Sequence, residues 1–115
     1  MKATQEMWDG ASSNHHFMRN IIMNMAQRED EDSAAGKAIE AADNYLDKSV
    51  AKHFAGDHKG ASRYFGLSSR QLNLASRVGE HPDKNYGMSW DAANSADNLK
   101  TLYEHGYGAR SSYGD

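Results

Sequence analysis

HFAGDHKGASRYFG, residues 53 to 66, places two histidines and an aspartate around a Gly-Asp pair and then adds small residues, a base and an aromatic pair. Two readings compete for it: a metal site, or a bend between two helices. A metal would recruit His53, Asp57 and His58. Ligands on one helix share a face at a spacing of four, and five residues at about 100° each do not. No fourth ligand is apparent either, so no metal is expected. The bend accounts for more residues. Phe54 and Ala55 close one helix, Gly56 permits a left-handed turn, Asp57 caps the next helix, and Ala61 with Phe65 packs back.

Helical periodicity extends in both directions from this bend. Upstream, Ser33 is an N-cap, and Ala35, Ala38, Ile39, Ala42, Leu46, Val50, His53 and Phe54 fall mostly on one side of a helix reaching Ala55. Downstream, a helix runs from Asp57 to Val78, with Gly79 at the expected left-handed C-terminal position and Pro82 just beyond. Residues 33–78 thus form a central antiparallel hairpin. A first helix is expected from about Ser13 to Arg28, capped by Ser12 or Ser13, on the spacing of Phe17, Met18, Ile21, Ile22 and Met25. A fourth starts at Ser89 and carries Ala92, Ala96, Leu99, Leu102 and Tyr103. The result is an all-α single domain, a bundle of about four helices, with residues 1–11 and 107–115 as irregular tails.

Composition limits the core. Leu, Ile, Val and Phe together number only fourteen of 115 residues, while sixteen alanines favour helix and close approach without burying much apolar area. Surface from a partner is expected to supply part of the stability. A net charge of −3 gives no global pull toward nucleic acid or anionic membrane. The absence of cysteine removes disulfides and thiolate chemistry, and no apolar run approaches the ~18 residues of a membrane span. A cytoplasmic, non-secreted protein is the expectation, or a virion protein if phage-encoded.

Gly56, Asp57, Ala61 and Phe65 also resemble the turn and second helix of a tetratricopeptide repeat, although Lys52 and Asn73 depart from that pattern. In SRYFGLSSRQLNLASRVG, Ser62, Phe65, Gly66, Leu67, Ser68, Leu72 and Ala75 resemble a helix-turn-helix. That resemblance implies a turn at Gly66-Leu67-Ser68 and a recognition helix opened by Ser69, Arg70, Gln71 and Asn73. With or without the turn, Lys59, Arg63, Arg70 and Arg77 form a basic stripe within about 40° on a helical wheel, a candidate nucleic-acid contact together with Gln71. A plainer reading pairs this stripe with the seven carboxylates of residues 29–47 inside the hairpin.

No nucleophile elbow, phosphate-binding glycine loop or HExxH pattern is present, so neither an enzyme nor a cofactor or small-molecule substrate is expected. His15 and His16 read as surface residues, and Glu29 to Asp32 as a solvated charge run. Trp8, Met23, Tyr86, Trp90, Tyr107 and Tyr113 lie mostly outside the central apolar stripes, as interface anchors do. A helical adaptor or structural subunit that completes its fold against protein partners or other copies is the first expectation. DNA binding through residues 58–78 is the alternative. The overall style resembles small bacteriophage-encoded virion and head-to-tail proteins.

Overall fold

The computed structural model describes residues 5–105, with side chains from Asp9 onward, and these form four helices without a strand. They are α1 (Gln5–Ala26), α2 (Ala34–Phe54), α3 (His58–Val78) and α4 (Pro82–His105). Each packs on its chain neighbour, and α4 closes against α1, giving a ring of alternating direction. Two consequences matter for the surface. The α1–α2 loop and the α3–α4 turn share one end of the bundle, and the outer groove between α1 and α2 lies opposite the outer groove between α3 and α4.

The bend at residues 53–66 forms as its residues suggest. Gly56 has φ +81°, the sole positive φ among the described residues, and the Asp57 carboxylate accepts the Gly60 N–H at 2.8 Å. Ala61 and Phe65 are fully buried. Ser33 caps α2, accepting the Gly36 N–H at 3.0 Å.

The remaining boundaries are set by tertiary contacts. Helix α1 starts at Gln5 instead of Ser13, so residues 5–11 are not an irregular tail. Gly10 faces Leu102, where a Cβ would stand 2.8 Å from Cδ2, and Ala11 is fully buried. The end of α4 holds this segment in place. Helix α4 starts at Pro82 instead of Ser89, because proline suits a first helical turn and an acceptor reaches the chain just ahead of it. That acceptor is Glu29, buried instead of solvated, which takes the Glu80 N–H at 3.2 Å, the His81 N–H at 3.4 Å and the Asn85 amide at 3.1 Å. Gly79 is extended (φ −82°, ψ 172°), not left-handed. Its bare Cα leaves room for the Glu29 carboxylate, with which a Cβ would collide.

Phe65, Met18, Met25, Leu46, Leu72 and Leu99 are the large buried side chains of the core, and alanines and serines fill the rest. Buried hydroxyls need acceptors, and they find them across helices. Ser49 and Ser68 of α2 and α3 donate to the carbonyls of Ala61 and Ala42, each at 2.7 Å, and Ser95 of α4 donates to Asn14 of α1 at 2.6 Å. The buried arcs are narrower than the wheels suggest: Phe54, Leu74 and Val78 are 69%, 39% and 49% exposed. Among the described residues no helix is long and apolar enough to cross a membrane.

Removing the Glu29 carboxylate strands donors at the start of α4, so Glu29→Ala should destabilise by about 2–4 kcal/mol. Gly79→Ala should lose about 1–3 kcal/mol by crowding that carboxylate. In a chemical-denaturation double-mutant cycle, Gly79→Ala should become clearly milder in the Glu29→Ala background; strict additivity would separate the two residues.

Candidate interaction surface

The outer groove between α3 and α4 encloses about 860 Å³. Lys59, Arg63 and Arg70 line it from α3, Lys100 and Asp97 from α4, and Gly66, Ala93 and Ala96 keep it open by being small. Arg77 extends the stripe one helical repeat beyond Arg70. Among the described residues none of Lys59, Arg63, Arg70, Arg77 and Lys100 is in an ion pair.

The carboxylates of α2 do not answer these cations. Asp43 and Asp47 point toward α1, where both bind Arg19, Asp47 at 2.8 Å. The α3-facing side of α2 instead carries Tyr45, stacked on Tyr64 at 6.2 Å, with Lys48 over both rings. Mutual neutralisation inside the hairpin is therefore not what the fold builds.

Helix α3 is continuous from His58 to Val78, so Gly66-Leu67-Ser68 forms no turn and the helix-turn-helix geometry is absent. Gln71 is half-buried and does not line the groove, apart from the stripe it was grouped with. Tyr86 and Trp90, one turn apart on α4, are 69% and 60% exposed. Helical spacing sets them on the same side of α4 as Ala93 and Asp97. Met23 is 55% exposed but belongs to the opposite, α1–α2 groove. The Trp8 side chain, Tyr107 and Tyr113 lie outside the described residues.

At the α2–α3 bend the groove ends on a buried polar cluster that periodicity alone does not reveal. His15 is buried, not on the surface, because the longer α1 makes it an interior position; His16 is exposed. The Ser49 hydroxyl proton goes to Ala61, so its oxygen accepts from His15 Nε2 at 3.4 Å. The Tyr103 hydroxyl meets His53 Nδ1 at 2.8 Å, and the Tyr103 ring stacks on His58 at 4.9 Å. His58 Nε2 is buried and has no hydrogen-bond partner among the described residues.

Burial favours the neutral form of each group. It lowers His15 to about 4, helped by repulsion from His53 and Arg19, lowers His53 with help from His58, and raises the Tyr103 phenol. His15, His53 and Tyr103 are thus uncharged near neutral pH. Asp57 is not part of this cluster: it is exposed, with the Gly60 N–H and then Lys52 holding its carboxyl below the usual range. Among the described residues no group of three or more His, Cys, Asp or Glu is arranged to hold a metal ion.

Comparison with known proteins finds no matching family model, no matching curated protein and no matching solved structure.

Because His15 and His53 hold protons less readily in the folded state than in the unfolded chain, their support for the fold is complete above the ordinary histidine value. It is lost as pH falls from about 6.5 toward about 4, by up to about 3 kcal/mol for His15. Thermal melts between pH 7.5 and 5 should show this decline, and His15→Gln should flatten it. An unchanged slope in that variant would place its origin elsewhere.

Proposed function

We propose that this chain is a non-enzymatic helical adaptor or structural subunit of a larger protein assembly, and that the outer face of the α3–α4 hairpin is its contact surface. The observation that carries the reading is the exposure of Tyr86 and Trp90, one turn apart, beside a groove whose cations have no ion-pair partners among the described residues. Leaving such a side chain in water forgoes about 1.5–3 kcal/mol of burial, a sizeable loss for a core built largely of alanine and serine. Aromatics and arginines dominate the buried centres of protein interfaces for the same reason. A phage virion component, working in the cytoplasm or the particle, fits such a subunit.

Replacing both aromatics by serine touches nothing in the core, so the thermal midpoint should stay within a few degrees of the parent's. Association should fall at least tenfold, read as self-association by light scattering or as recovery of bound protein from source cells. Undiminished association in the Tyr86→Ser/Trp90→Ser variant would remove this face from the contact.

Nucleic-acid binding is the second reading, favoured by the same unpaired cations. A continuous helix offers no recognition turn, so the contact would follow a single strand, with phosphates on Lys59, Arg63, Arg70 and Arg77 and bases stacked on Trp90. Binding at low salt should then weaken in Arg70→Ala/Arg77→Ala, and the log–log salt slope should shrink by about 2. Absence of binding by the parent chain at low salt would end this reading.

A further inference from the structure

The groove between α1 and α2, about 600 Å³, has an apolar floor of Ile22, Met23, Ala26 and Ile39. Glu31, Glu40 and Asp43 rim it, and Asp47 continues the acidic edge along α2. Arg19 is the one cation among its lining residues and is already held by Asp43 and Asp47. Glu31 and Glu40 are exposed and, among the described residues, take part in no ion pair. The ring order α1–α2–α3–α4 puts this groove on the side opposite the basic groove of α3 and α4. The molecule therefore has one apolar face edged by carboxylates and, behind it, one face where Lys59, Arg63, Arg70 and Lys100 outnumber Asp97 and Glu104, bordered by exposed aromatics.

We infer that the two faces fit each other across copies: the basic α3–α4 face of one molecule docks on the acidic α1–α2 groove of the next. This rests on the adaptor reading given above and names its first partner as a second copy of this chain. Charge complementarity carries the argument. Acidic and basic residues stand on neighbouring helices α2 and α3, yet they turn to opposite outer faces instead of pairing within the hairpin. A second copy satisfies both faces with one contact. A nucleic acid would use the basic face alone and leave the carboxylate-rimmed groove and Met23 uncovered. The apolar parts also agree, since a thioether packs well against aromatic rings such as Tyr86 and Trp90. The overall charge of −3 does not oppose the contact, because short-range complementarity of patches governs it.

Such a contact is heterologous: each copy uses one face and leaves the other open, so growth continues as a filament or closes as a ring. It is also sensitive to salt, since screening shortens from about 10 Å at 0.1 M to about 3 Å at 1 M.

The test is light-scattering mass of the full chain across concentration and ionic strength. At low salt and high concentration the mass should be at least twice that of one chain, and it should return to one chain in 1 M salt. Arg63→Glu/Arg70→Glu makes both faces acidic, and Glu31→Lys/Glu40→Lys puts cations in place of the two carboxylates of the α1–α2 groove that have no ion pair among the described residues; each should be folded by circular dichroism and monomeric. Mixed in equal amounts they should associate again, because each face then meets its opposite. A parent chain that stays monomeric at low salt overturns the inference, as does a mixture that fails to associate. A mass that rises only on adding single-stranded DNA also overturns it and assigns the basic face to nucleic acid. A monomer that still recovers another protein through Tyr86 and Trp90 overturns self-docking while leaving the adaptor reading intact.

Discussion

The Glu29 carboxylate joins the two loops at one end of the bundle, and the closed ring depends on it. It comes from the α1–α2 loop, three residues past the end of α1, and ends at the backbone entering α4, more than fifty residues later. Its neighbour Arg28 reaches the other end of the same Asn85 amide at 3.3 Å and the Met88 sulfur at 3.4 Å, so Asn85 is gripped from both sides. Burial of a carboxylate is tolerable only when its lone pairs are occupied, and here the α3–α4 turn and Asn85 of α4 supply the donors. The outcome is a fixed start for α4 and a fixed place for it beside α1. With α4 so placed, two outer grooves face opposite ways.

The interior follows from a poor supply of large apolar side chains. Alanine and serine let helices approach closely, and serine adds a hydroxyl that must bond. The sequence places these hydroxyls where a neighbouring helix offers a carbonyl or amide oxygen, as at Ser49, Ser68 and Ser95. Specific interhelix bonds thereby accompany modest apolar burial. Large aromatic side chains, Tyr86 and Trp90 among them, remain exposed at the surface.

How much of this was legible in the sequence depended on the distance between cause and effect. The central hairpin was legible because its signals are local: Ser33 caps its own helix, and Gly56 and Asp57 act within a few residues. The starts of α1 and α4, the extended Gly79 and the burial of Glu29 and His15 were not, since each depends on residues 34 to 92 positions away. Glu29 in particular hides within an acidic run that looks solvated. For the surface, the basic stripe follows from helical spacing, and Tyr86 and Trp90 stand out in the sequence by lying outside the central apolar stripes. That acid and base turn away from each other requires knowing which side of α2 meets α1, and periodicity does not say.

Among the described side chains of α1, the methionines divide in a way that gives the α1–α2 groove a chemistry of its own. Met18 and Met25 are fully enclosed, whereas Met23, between them in sequence, presents its thioether to solvent on the groove floor. Peroxide reaches the exposed sulfur first and turns a soft apolar contact into a polar sulfoxide, a change that methionine sulfoxide reductases undo. The core keeps its packing while the surface loses its fit. On the docking inferred above, oxidant weakens the contact between copies before it unfolds the bundle.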